Sequence, residues 1–185
     1  YDFYGVCDLV MLSNPGFANG RGMDIHIRNK RTRVWSYIST AAVRIGEDIL
    51  QIMGGTDSNK YFLNGDARDA ESKNSDGVLD DFGGYKLKYQ RISDVSVEYE
   101  VVLKNGDSIA LKTWNAMVSV KLNKPLKEDF DGSLGLLGSY PTGAKVARDN
   151  KTIISDSNEF GQEWQVIDTE PKLFIESEGP NSCCC

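Results

Sequence analysis

The sequence has one histidine, His26. A lone imidazole builds neither a histidine-rich metal centre nor a Ser-His-Asp constellation without distant partners. Its four cysteines are split between Cys7 and the run Cys183, Cys184, Cys185, with none of the paired CxxC spacing of a zinc site. Adjacent cysteines have the wrong geometry to bridge one another. The run therefore reads as partners for Cys7 or another chain, or as the start of a cysteine-rich segment. No stretch approaches the roughly 18 apolar residues of a membrane-spanning helix. Basic residues are outnumbered and the net charge is −6, so nucleic acid and anionic membrane surfaces are poor partners. There is no GxSxG, no phosphate-binding loop and no GxGxxG after a strand. No secretory leader is visible, as expected of a chain starting at Tyr1 that is cut from a longer precursor.

The chain does have alternation. "MDIHIRN" places Met23, Ile25 and Ile27 on one face and Asp24, His26 and Arg28 on the other. "VSVEYEVVL", "SIALKTW" and "MVSVKL" repeat the pattern, the signature of half-buried strands. "VVLKNGDSIAL" reads as a hairpin around Asn105-Gly106, and "RIGEDILQI" as another around Gly46. Strands are predicted near 6–12, 23–29, 33–39, 41–45, 48–53, 60–63, 85–91, 95–103, 107–114, 117–122 and 134–137. Residues 66–84 are polar and Gly-rich and read as a long exposed loop. "SDSNEFGQEW" holds at most one short helix, capped by Ser155, Asp156 or Ser157. The expected fold is all-β, an antiparallel β-sandwich of hairpins spanning 1–167. Residues 168–185 form an extended tail, docked through Leu173, Phe174 and Ile175.

Several stretches, in order, resemble the von Willebrand factor type D (VWFD) domain. "YDFYGVCDLVML" stands where that family has YxFxGxCxYVL, and "YFLNG" where it has a strand leading into a turn. "GSLGLLGSYPTG" stands for its GLCGN turn, and "EFGQEWQV" for a late phenylalanine and tryptophan. The family's GDPH-type segment would lie before Tyr1. The resemblance implies a non-catalytic module of a secreted or cell-surface protein, used in cell adhesion, extracellular matrix or assembly. Its partners would be protein or matrix, with disulfide-linked assembly possible.

The departures carry expectations too. Family members pair the early cysteine with the one in GLCGN, where this chain has Leu137. Cys7 is then either a buried thiol or, the favoured reading, bonded to Cys183 or Cys184. Such a bridge would contribute roughly 4–5 kcal/mol in the chain-entropy model, and Leu137 would become a packed apolar contact. The family's calcium loop corresponds to "SYPTGAKVARDNKT", where only Asp149 and Asn150 match its oxygen ligands. The calcium loop reads as degenerate, Asp149-Asn150 as a turn, and no cofactor is expected. Asn150-Lys151-Thr152 is also a glycosylation sequon, which would make a secreted form a glycoprotein and exclude Asn150 as a metal ligand.

The remaining candidates are expected to have plainer roles. His26 reads as an exposed strand residue. Asp80-Asp81, Glu98/Glu100 and Glu128-Asp129 could suggest a hydrolase, but such pairs must face each other at about 5–10 Å across a cleft; solvated faces are expected instead. Asp76, Asp80 and Asp81 fit no ligand spacing. Trp35, Tyr37, Trp114 and Trp164 could form a sugar-stacking row, making a carbohydrate-binding sandwich the alternative function, but core positions are expected for them.

Overall fold

The computed structural model describes residues 7–55, 59–73 and 77–175. Two antiparallel sheets face each other. The first has six strands in sequence order: β1 (Asp8–Asn14), β2 (Met23–Arg31), β3 (Ser36–Ile45), β4 (Asp48–Met53), β5 (Lys60–Leu63) and β6 (Asp66–Asp69). The second runs β7 (Val78–Phe82), β8 (Tyr85–Ser93), β9 (Ser96–Val102), β10 (Ser108–Trp114) and β11 (Met117–Asn123), also neighbour to neighbour. The expected all-β sandwich of hairpins is the observed architecture.

Alternation explains the core. Ile25, Val43, Leu50 and Ile52 of the first sheet belong to one buried cluster with Leu87, Tyr99, Val101, Ile109 and Leu111 of the second. Residues two apart share a face, so each strand sends every second side chain inward. The Asn105-Gly106 hairpin forms as expected, with Ser108 opposite Val102.

Three readings of strand placement are corrected. Residues 36–45 are one unbroken strand; the irregularity lies on its partner, a register shift between Arg28 and Asn29. The 66–84 loop contains β6 and β7, both edge strands. Their polar composition hid them, because an edge strand needs few buried side chains, here Leu79 and Phe82. Residues 134–137 are not a strand. They follow β1 through Leu134 N–H to Ser13 O (3.0 Å), Leu136 N–H to Val10 O (3.1 Å) and Leu137 N–H to Met11 O (3.1 Å). Gly135 permits this approach: a Cβ there would sit 2.4 Å from Met11 O, and its φ of +142° disfavours any side chain.

The helix near the C-terminus is α3 (Ser157–Glu163), with Asp156 Oδ1 accepting the Asn158 and Glu159 N–H groups at 2.8 and 2.9 Å. This side-chain cap satisfies two donors that have no partner inside the helix. Two further single turns also form, α1 (Phe17–Gly20) and α2 (Lys127–Phe130).

Strand alternation does not reveal a third layer. Leu134 and residues 164–166 pair with the open edge of β1, and residues 173–175 lie against the outer face of the first sheet. Val10 N–H bonds to Trp164 O (2.8 Å) and Val166 N–H to Asp8 O (2.9 Å). Val10, Phe160 and Trp164 form a second buried cluster. Leu173 is buried, Phe174 lies under the Arg28 guanidinium at 4.5 Å, and Ile175 N–H bonds to Gln51 Oε1 at 2.9 Å. Leu173 and Phe174 dock as expected, whereas Ile175 engages through its backbone and leaves its side chain exposed. The polar face of this sheet is consequently interior: Asp24 and His26 of β2, and Gln51 of β4 beyond β3, are all buried.

Candidate functional site

Asp149 and Asn150 form the tip of an exposed turn. Asp149 Oδ1 accepts the Lys151 and Thr152 N–H groups, both at 2.8 Å, and Oδ2 accepts the Thr152 hydroxyl at 2.7 Å. These bonds, led by that from the Thr152 amide, hold its pKa below the usual carboxylate value. The carboxylate closes the turn and is not directed into a cage of oxygens, so these residues do not fit a calcium ion. Asn150 adopts φ of 57° and is exposed.

Cys7 is buried, and its carbonyl accepts the Asn29 N–H at 3.1 Å. Cys183 and Cys184 lie outside the described residues, as does Asp76. Leu137 is 44% exposed, so it makes no packed contact in place of a bridge; its backbone, not its side chain, engages β1.

His26 is buried, contrary to the exposed position expected, because the C-terminal layer covers it. Desolvation lowers its pKa, against the opposing pull of Asp24, Glu170 and Asp8. Its Nδ1 has no hydrogen-bond partner among the described residues.

The carboxylate candidates separate. Asp80 accepts a short bond from the Tyr61 hydroxyl and pairs with Arg68 at 2.8 Å. Glu98 and Glu100 sit half-buried on the outer face of β9, Glu98 between Gln90 and Lys112, and Glu100 opposite Lys88. Glu128 is exposed while Asp129 turns inward.

Two of the three tryptophans are not core. Trp164 is 2% exposed and donates its Nε1–H to Val146 O at 3.1 Å. Trp114 is 55% exposed and Trp35 44%. Trp35 occupies the β2–β3 connection, 5.5 Å from the Tyr37 ring. Trp114 ends β10, and with Ile92, Met117 and Val118 it lines a shallow apolar cleft of about 590 Å³. The end of the sandwich here is laced together. Gly55 N–H bonds to Asn115 O (2.7 Å) and Asn115 N–H to Val95 O (3.0 Å). Ile92 and Val95 are both exposed on this rim. The ends of three strands, β8, β10 and β11, and the β8–β9 turn supply these side chains, so no local pattern announced the patch.

At the β9–β10 hairpin a polar cleft of about 490 Å³ is lined by Arg21, Tyr85, Lys104, Asn105, Glu128 and Asp129. Behind it Asp107 is wholly buried, with Oδ1 unpartnered. Burial, and then the neighbouring Asp129 carboxylate, raise its pKa. The sequence showed Asp107 only as a hairpin residue and Asp129 only as the neighbour of Glu128; folding brings them together. A search of family models and of curated proteins matches nothing to this chain.

Proposed function

We propose that this chain is a von Willebrand factor type D-like module with a non-catalytic structural role. It makes protein–protein or matrix contacts for adhesion or assembly in a secreted or cell-surface protein. The observation that carries the role is the exposed apolar end formed by Ile92, Val95 and Trp114. Large apolar side chains grouped on a rim are costly to leave in water and mark contact surfaces. The family reading is supported by the hairpin sandwich and by the way "GSLGLLGSYPTG" lies along the first strand, glycine against backbone. On this reading Asn150, exposed at its turn, accepts a glycan. Cys7 bonds to Cys183 or Cys184, which peptide mapping without reductant would test.

The test is adhesion of beads carrying the purified chain to immobilised matrix proteins, with Trp114→Glu as comparison. Retention that falls at least tenfold in the variant supports the role; equal retention of both removes it. Exposed Trp114 and the Trp35–Tyr37 pair favour one second reading, carbohydrate binding by aromatic stacking. Trp164 takes no part in it, since it is buried. Trp114-dependent binding on a glycan array, with no matrix retention, would select that alternative.

A further inference from the structure

The connection between β2 and β3 carries a second exposed patch, built from other residues than the Trp114 rim. Arg31 lies opposite Ser36 and Lys30 opposite Tyr37, so the chain reverses over Thr32, Arg33, Val34 and Trp35. Thr32 locks the reversal. Its N–H donates to Trp35 O at 2.7 Å, and its hydroxyl donates to the same oxygen at 2.8 Å. Its Oγ1 accepts the Val34 and Trp35 N–H groups at 3.3 and 3.1 Å. Arg33 and Val34 therefore stand at the apex of a fixed turn, already ordered before a partner arrives.

The apex is both apolar and cationic. Val34 is 77% exposed, the most open large apolar side chain among the described residues, and Trp35 beside it is exposed too. The Trp35 ring stands 5.5 Å from that of Tyr37. Lys30, Arg31 and Arg33 are exposed, and among the described residues none of them is in an ion pair. No acidic residue occurs between Asp24 and Glu47. The net charge of −6 makes an anionic membrane a poor partner for the molecule as a whole, but that charge is carried away from this turn. At physiological ionic strength, charges more than about 8 Å from a surface are largely screened. A surface met apex-first feels the three cations and little of the remainder.

We propose that this turn docks the chain on a bilayer that exposes anionic phospholipid. Val34 and Trp35 enter the headgroup region, while Lys30, Arg31 and Arg33 contact the lipid phosphates and carboxylates. Tryptophan and tyrosine settle at that interface, where one end of the ring is apolar and the other wet. Each Lys or Arg close to an anionic leaflet adds its own attraction. The contact is peripheral, since a turn of this size reaches the interface and spans nothing. A bilayer satisfies both halves of the patch. A sulfated polysaccharide would neutralise the cations and leave Val34 in water, and a two-stranded tip offers a rigid protein partner far less than the usual interface area.

The experiment is sedimentation of the purified chain with phosphatidylcholine vesicles containing roughly 30% phosphatidylserine, and with phosphatidylcholine alone, at about 50 and about 300 mM salt. Retention on heparin beads is measured alongside. Binding is expected on the anionic vesicles at low salt, and should fall on pure phosphatidylcholine and at the higher salt. Arg33→Glu and Val34→Asp should each lower the partition coefficient about tenfold or more. Both side chains are exposed on the turn, so both variants should keep the melting midpoint of the unaltered chain. Lys86→Glu makes the same charge change at the other end of β3, where Gly83 meets Ile45, and should bind as the unaltered chain does. No binding of the unaltered chain to the anionic vesicles would overturn the proposal. Full binding by Val34→Asp would also overturn it, since charge alone would then be at work. Retention on heparin without vesicle binding would overturn it in favour of a sulfated polysaccharide.

Discussion

Replacing Trp164 by alanine tests whether the C-terminal layer is part of the folded core. Trp164 is 2% exposed and packs with Val10 and Phe160. Its indole N–H satisfies the Val146 carbonyl, and the Arg148 guanidinium lies 4.8 Å over the ring. Truncating a buried tryptophan costs about 3–5 kcal/mol. The lost hydrogen bond adds about 1 kcal/mol and the lost cation–π contact about 0.5–1 kcal/mol. These overlap, so about 4 kcal/mol is the working figure. In a domain of this size each kcal/mol moves the midpoint by about 2–4 °C, giving a fall of about 8–16 °C. Trp164→Phe keeps most of the ring and should cost less than half as much. Differential scanning calorimetry measures the midpoint, and near-ultraviolet circular dichroism reports whether the layer still orders. A Trp164→Ala midpoint within about 2 °C of the unaltered chain would refute the reasoning, because the layer would then contribute nothing to the cooperative unit.

Other outcomes follow from the same fold. Trp114→Ala, at an exposed rim, should change stability by less than about 1 kcal/mol in urea titrations. Gly135→Ala should destabilise by about 1–3 kcal/mol by the same assay, since its Cβ would press on the Met11 carbonyl and its φ is unsuited to alanine. The pKa of His26 is lowered in the fold, so the unfolded chain binds this proton first. The stability that depends on neutral His26 is complete above its ordinary value of 6.5 and is lost as pH falls from there through the folded value. His26→Gln should flatten that part of the pH–stability curve, and an unchanged slope would show that another group governs it.

Much of the fold was legible because two-residue periodicity is local. Ile25, Val97 and Leu111 announced inward faces from their immediate neighbours alone, and Asn105-Gly106 announced its turn. The misplacements share a cause: they depend on what covers an element. His26 occupies a polar face that would be wet in a two-layer sandwich, and only the return of residues 133–175 buries it. The strand at 78–82 escaped notice because its aspartates read as loop, although Asp80 meets Tyr61 and Arg68 from the opposite sheet. Trp35 and Trp114 were expected inside because large aromatics usually are, yet each ends or leaves a strand where no second sheet faces it. The sequence identified the Asp149 turn. It could not pair Asp107 with Asp129, because nothing local relates a hairpin to a short turn beyond the next strand.

The antiparallel contact between residues 164–166 and β1 has a mechanical meaning. Asp8 lies opposite Val166 and Val10 opposite Trp164, so a pull through Cys7 and Ile175 loads both segments from the same end. The Gln51 and Arg28 contacts would part first, and then the two backbone bonds one after the other, as a zip opens. The paired sheets, crossed by many bonds at once, would still hold. An optical-trap recording should show a low-force step ahead of the main rupture, and in a tethered protein the third layer would act as slack released before the sandwich fails.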